Sequence, residues 1–157
     1  MSFTAWTGAG VAVVAATTLM GLTATPAIAA PGDAPSPRAS RAVTVELHND
    51  TGCTLRKPSK ELYHGIWTQE PASIIPKGQS RTMRTESDGF MTGTEAAVSY
   101  EATNCVLAGK KVRFHWNNPY YGRNSYDFDY TDPTFAGRWE GGNGDNATVD
   151  VYFSTRG

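Results

Sequence analysis

Ala42-Val43-Thr44-Val45-Glu46-Leu47-His48-Asn49 alternates without a break, with Val43, Val45 and Leu47 on one side and Thr44, Glu46 and His48 on the other. Successive side chains of an extended chain point to opposite faces, so this period of two is the mark of a strand with one face in a core. Asn49-Asp50-Thr51-Gly52 then ends the run with turn-forming residues. The same pattern recurs downstream. Thr94–Glu101 carries Ala96, Val98 and Tyr100 on one face, and Lys111–Asn117 carries Val112, Phe114 and Trp116. Ser125–Tyr130 places Tyr126, Phe128 and Tyr130 together, opposite Asp127 and Asp129, and Ala147–Phe153 points Val149, Val151 and Phe153 inward. Gln79–Thr85 is β-compatible but polar, and reads as an edge or exposed strand. No segment sustains a 3.6-residue period. Short strands separated by turn signals predict an all-β chain, a sandwich or a barrel.

The segments between these strands do not alternate. Leu62–Pro76 (LYHGIWTQEPASIIP) reads as a long, partly extended connection. Ser87–Thr94 is a tight loop holding Phe90 and Met91 between Gly89 and Gly93. Pro119–Asn124 packs Tyr120, Tyr121 and Arg123 into six residues, and Gly141–Asp145 is a turn.

Composition agrees with a turn-rich β domain: 16 Gly and 9 Pro punctuate 157 residues of which 39% are hydrophobic. With 14 Lys+Arg against 15 Asp+Glu there is no basic excess to neutralise phosphates, which argues against nucleic acid as a partner. Residues 1–29 contain no charged side chain; an apolar run from Val11 to Leu22 leads to Thr25-Pro26-Ala27-Ile28-Ala29, an A-x-A cleavage pattern. These residues read as a secretory signal peptide cut after Ala29. The apolar core of about a dozen residues is short of the roughly 20 that span a bilayer as a helix. Residues 30–41, rich in Pro, Ala and Ser, read as a flexible leader, and 42–157 as one folded domain. Cys53 and Cys105 are the only cysteines. Export to an oxidising compartment predicts that they pair.

A search for catalytic chemistry nominates no residue. His48 and His115 sit on outward strand faces and His64 in a loop, which reads as solvated histidines. No metal set or cofactor is expected. Asp127, Asp129 and Asp132 resemble the opening of a calcium loop, but Phe128 and Tyr130 interleave and no EF-hand glycine follows, so they read as the charged face of a strand. No P-loop, G-x-G-x-x-G or G-x-S-x-G is present. The expectation is a protein that is not an enzyme. Tyr120 and Tyr121 are adjacent, and two neighbours on an extended chain cannot both point inward. At least one exposed Tyr beside Arg123 suits a membrane interface, where a ring needs one apolar and one wet side and a guanidinium can meet a lipid phosphate.

From Gly65 to Tyr126 the chain resembles the aegerolysin family. The residues that carry the resemblance are Gly65-Ile66-Trp67, Ile75-Pro76-Lys77-Gly78, Ser87-Asp88-Gly89-Phe90-Met91-Thr92-Gly93-Thr94-Glu95 and Val112-Arg113-Phe114-His115-Trp116-Asn117-Asn118-Pro119-Tyr120, with His48-Asn49 resembling the family's opening strand. Ala96 or Ala97 stands where a further glycine is usual, and a secreted, disulfide-bearing form departs from many members. The resemblance implies a single antiparallel, actinoporin-like β-sandwich that binds membrane lipids of the sphingolipid kind. It further implies cytolysis or pore formation with a larger partner protein. Trp67 matches a family Trp, and with Tyr120, Tyr121 and Arg123 it makes up the expected lipid-contacting set. The rival expectation is a secreted β-sandwich enzyme or enzyme inhibitor without a recognisable motif.

Overall fold

The computed structural model describes residues 40–157. The signal peptide expected over 1–29, and the leader up to residue 39, lie outside the described residues. Ten strands are seen: β1 Ala42–Asp50, β2 Thr54–His64, β3 Ile66–Gln69, β4 Ile74–Ile75, β5 Ser80–Glu86, β6 Thr94–Thr103, β7 Lys111–Asn118, β8 Ser125–Asp127, β9 Phe135–Gly141 and β10 Asn146–Thr155. They form two five-stranded sheets, ordered β3-β5-β1-β10-β9 and β4-β2-β6-β7-β8. No helix occurs among the described residues. All pairings are antiparallel except β1 with β10, which run parallel from Ala42↔Asn146 to Asp50↔Ser154.

The alternating strands bury the faces their sequences indicate. Val43, Val45 and Leu47 of β1, Val112, Phe114 and Trp116 of β7, and Val149, Val151 and Phe153 of β10 are all 0% exposed. With Val98, Tyr100, Met83 and Phe135 they form one core between the sheets. The indole N–H of Trp116 donates to the buried Thr85 hydroxyl at 2.9 Å, and the Tyr100 hydroxyl donates to the Ala72 carbonyl at 2.9 Å. Burial raises the Tyr100 phenol well above its ordinary range.

Three readings of the sequence are corrected, and one strand is added. Residues 79–85 are not an edge: β5 lies between β1 and β3, with Met83 and Thr85 buried. Its polar inward residue is Thr85, whose hydroxyl serves the Trp116 indole, so polarity did not mean exposure. Residues 62–76 are not a connection but the end of β2, then β3 and β4. Register shifts between Arg56 and Ser59, Leu62 and His64, and Trp67 and Gln69 break the alternation that would have revealed them. Tyr130 does not share a face with Tyr126 and Phe128. The strand stops at Asp127, and Tyr130 turns outward with φ 65, its ring 5.4 Å from the Arg113 guanidinium. Phe135–Gly141, which the sequence pattern does not announce, is β9. Its Gly137 is required, because a Cβ there would lie 2.4 Å from the Phe128 ring.

The two ends of the sandwich differ. At one end Cys53 and Cys105 are joined, Cα–Cα 5.2 Å, tying the start of β2 to the turn after β6. Closing a loop of 52 residues stabilises by ~4 kcal/mol on chain-entropy grounds. Beside it, the buried Asn49 side chain donates to the Cys53 and Ile75 carbonyls at 2.9 Å each and accepts from the Thr51 hydroxyl at 2.6 Å. The opposite end gathers the connections that could reach a target.

Candidate functional site

Register brings five segments to that opposite end. His64 pairs with Glu95, Thr94 with Asn118, Asn117 with Ser125, Ala42 with both Glu86 and Asn146, and Val149 with Gly141. The turn at Gly65 and the loops Ser87–Gly93, Pro119–Asn124 and Gly142–Asp145 therefore share one pole with Arg41. Two glycines permit the crowding. A Cβ on Gly65 would lie 2.2 Å from the Glu86 carbonyl oxygen, and one on Gly93 would lie 2.6 Å from that of Asn118.

The pole is held by polar groups behind its surface. Arg41 donates to the carbonyls of Pro119 at 3.0 Å and Tyr120 at 2.6 Å, and pairs with Asp145 at 2.9 Å. Arg41 is the last residue of the segment read as a flexible leader, yet its guanidinium is largely covered and bonded to the pole, so the folded domain begins before Ala42. Asn118, fully inside, donates to the Ala42 carbonyl at 3.1 Å and the Asp145 carbonyl at 2.9 Å. Asn124 and the Tyr126 hydroxyl both donate to the Gly142 carbonyl, at 2.8 and 2.6 Å; burial raises the Tyr126 phenol.

On this base stand exposed apolar side chains. Phe90 is 89% exposed at the tip of its loop, and Tyr121 is 75% exposed. Met91 is exposed too, in the left-handed region at φ 58, with Thr92 donating to the Gly89 carbonyl at 2.9 Å behind it. A non-glycine residue rarely adopts that conformation. Arg123 is exposed beside Tyr121. An open cleft of ≈ 330 Å³ lies under Met91, lined also by His64, Glu95, Asn117 and Tyr120. Across Pro119 a second, polar cleft of ≈ 360 Å³ is lined by Asn118, Arg123, Asn124, Asn143 and Asp145.

Of the residues expected from sequence, Tyr120, Tyr121 and Arg123 come together on one loop. Tyr120 is half-buried, its ring 5.0 Å from the Arg41 guanidinium and edge-on to Tyr121 at 4.6 Å. Trp67 is not part of that loop surface. It is half-buried on β3, edge-on to Trp116 at 5.6 Å, with the Lys60 ammonium 5.9 Å from its ring. Phe90 and Met91 were legible as loop residues between glycines, but nothing local marks a single loop Phe as exposed rather than as a core plug.

The histidines are less solvated than their outward positions suggest. His115 lies 2.7 Å from Asp127 and 3.0 Å from Glu95 through its two ring nitrogens. His48 lies 3.1 Å from Asp150 and 2.8 Å from the Ser80 hydroxyl, stacked on Tyr152 at 4.4 Å. His64 is the exposed one, 3.8 Å from Glu95. Among the described residues, Glu46, His48 and Asp150 place one ligand atom each within 4.8 Å of one another. The contacts with Asp150 and with the Ser80 hydroxyl already account for both ring nitrogens of His48. The acidic run is spent on its own backbone: Asp127 accepts from the Asp129 amide at 3.0 Å, and Asp132 accepts from the Thr134 amide at 3.0 Å and pairs with Lys110 at 3.1 Å. Those bonds hold the Asp132 carboxyl below the usual carboxylate range. On β2 the Tyr63 hydroxyl donates to Glu61, which lowers that carboxyl and raises the phenol.

The sequence model of the aegerolysin family matches residues 41–156, the whole sandwich. The chain belongs to the aegerolysin family. An uncharacterized protein of Dictyostelium discoideum is 29% identical over 92 residues, which cover 58% of this aegerolysin and 8% of that much longer protein. Among solved structures, the lipid binding protein Nakanori superposes with a TM-score of 0.60 at 17% identity, covering 74% of this chain and 72% of that one. The RahU protein, solved with a Tris molecule, superposes with a TM-score of 0.58 at 15% identity, covering 76% and 98%. At such identities these likenesses establish the fold, the two-sheet β-sandwich expected.

Proposed function

We propose that this aegerolysin is a secreted protein that binds membrane lipids through the loop pole, with sphingolipid-like lipids as its ligands. Phe90, Met91 and Tyr121 enter the interface and Arg123 meets a phosphate. The observation that carries the reading is the pair Phe90 and Tyr121, both strongly exposed on adjoining loops of one pole, with the exposed Met91 and Arg123 beside them. Family membership and the lipid binding of Nakanori support it. Exposed aromatic rings on tethered loops contribute apolar area to an interface without having to be extracted from a core. Tyr120 and Trp67 support the surface from behind, through Arg41 and Trp116.

Perforation, where it follows binding, is the work of a larger partner protein. A membrane-spanning strand needs roughly 9–11 residues. Every described strand of that length is already paired inside the sandwich, and the longest loop at the pole, residues 87–93, is shorter. The reading is tested by co-sedimentation with vesicles of phosphatidylcholine alone and of phosphatidylcholine with sphingolipid. Binding that requires the sphingolipid is the expected result. Failure to sediment with any vesicle overturns the proposal.

A further inference from the structure

The free edge of β9 is built to pair with itself, and we propose that this chain forms a two-fold dimer through it. Four strands end the two sheets: β3 has four residues, β4 two and β8 three, while β9 has seven. Among the described strands only β9 is long enough to offer a ladder. Just past its ends, the Arg156 amide donates to the Thr134 carbonyl at 2.9 Å and the Gly142 amide to the Thr148 carbonyl at 2.7 Å. Antiparallel neighbours alternate between hydrogen-bonded and non-bonded pairs, so these two bonds fix the phase. Even-numbered residues of β9 bond to β10, and odd-numbered ones turn their amide and carbonyl to the free edge. Phe135 is served locally, its amide donating to the Asp132 carbonyl at 2.9 Å and its carbonyl accepting from Arg156 at 3.1 Å. Gly137 and Trp139 have no such partner among the described residues.

A two-fold axis through Trp139 satisfies these groups. Trp139 then exchanges both backbone bonds with Trp139 of the second copy, and Gly137 comes opposite its Gly141, where the strand ends at φ 76. Residue 138 falls directly opposite residue 140 in the non-bonded pairs, where side chains stand closest. Those residues are Arg138 and Glu140, both on the outer face with 59% and 63% of their side chains exposed. Two attractive pairs form across the axis. Natural edges are usually guarded by charge that repels a second strand; this one carries opposite charges spaced so that its own copy is complementary. Trp139, 44% exposed, gains a second Trp139 on the same face. An isologous contact of this kind closes on itself and does not propagate into fibres.

The axis reverses the second copy, so the two loop poles point in opposite directions. Resting on the lipid reading above, the dimer therefore bridges two bilayers. The test uses Arg138→Glu and Glu140→Arg in sedimentation velocity without lipid. Each variant alone faces like charges twice across the axis and should dimerise at least about tenfold more weakly than the parent. An equimolar mixture restores both attractive pairs and should dimerise as the parent does, although neither chain regains its internal ion pair. Melting curves confirm that both variants fold. A parent that stays monomeric at concentrations on the order of 1 mM, single variants that dimerise like the parent, or a mixture no better than its components overturns the proposal. Vesicle turbidity separates the two readings: dimers that leave vesicles unbound refute the lipid site alone, and vesicles bound without aggregation refute the bridge.

Discussion

Replacing Phe90 by Ala separates binding from folding more cleanly than any other change at the pole. Phe90 is 89% exposed, so of the roughly 200 Å² such a ring offers, nearly all is free to leave water on contact with a bilayer. If half of it does so at about 25 cal/mol per Å², the ring contributes ~2 kcal/mol to binding, a roughly 30-fold change in affinity. Its contribution to folding is small for the same reason, and removal of an exposed side chain shifts stability by no more than about 0.5 kcal/mol. Phe90→Ala should therefore melt with the parent and sediment with sphingolipid vesicles only at much higher lipid concentration. Tyr120→Ala is the contrasting variant. Its ring lies against Arg41 and is half-buried, so it should lose ~1 kcal/mol of stability along with any binding. A Phe90→Ala protein that melts normally and binds as tightly as the parent refutes the placement of the membrane face. One that unfolds shows that the ring packs where the structure leaves it exposed.

Three other outcomes are expected. Asn118→Ala removes the side chain that bonds the start of β1 to the Asp145 carbonyl, and should cost about 2–3 kcal/mol in denaturant titration through the carbonyls it leaves unpaired; an unchanged midpoint would refute that role. The Asp132 carboxyl is lowered by its Thr134 amide, so its contribution is complete above the unfolded carboxylate value near ~4 and is lost as pH falls through the folded value. The gap in melting temperature between the parent and Asp132→Asn should close on acidification, and a gap constant with pH would contradict this. Unreduced protein should show no titratable thiol from Cys53 or Cys105, and reduction should remove ~4 kcal/mol of stability; one or two reactive thiols before reduction would exclude the bond.

How much the sequence reveals depends on whether neighbours interrupt the two-residue period. β1, β7 and β10 bury one face along their length, so Val43, Phe114 and Val151 could be placed inside from pattern alone. β2 carries two register shifts and β9 two glycines, and neither shows the pattern, although both pair along most of their length. β5 misleads because the group it buries is the Thr85 hydroxyl, which makes sense only once the Trp116 indole is seen across the core. At the pole, the adjacency of Tyr120 and Tyr121 is enough to require one exposed ring, and the structure exposes Tyr121. Trp67 is readable as a family position, yet its packing depends on Trp116, 49 residues away in the chain. Phe90 has no local signature, because exposure of a loop ring is decided by what other loops fail to cover.

The polar network beneath the pole explains why its surface rings can be free of structural duty. Arg41, Asn118, Asn124 and Tyr126 together bond the carbonyls of Ala42, Pro119, Tyr120, Gly142 and Asp145, so the loops are fixed from inside by hydrogen bonds to their backbone. A loop positioned by its backbone does not need its side chains for packing. Tyr121 is left available on a loop held in this way, while the Phe90 and Met91 loop is tied to the pole through Ser87, whose amide donates to the Arg41 carbonyl at 2.8 Å and whose hydroxyl accepts from the Arg41 amide at 3.1 Å. Ordering costs that a floppy loop would incur on binding are met during folding instead. The same logic places the covalent tie at the other end. Cys53–Cys105 and Asn49 secure that end, so the covalent tie lies away from the loops that carry Phe90 and Tyr121.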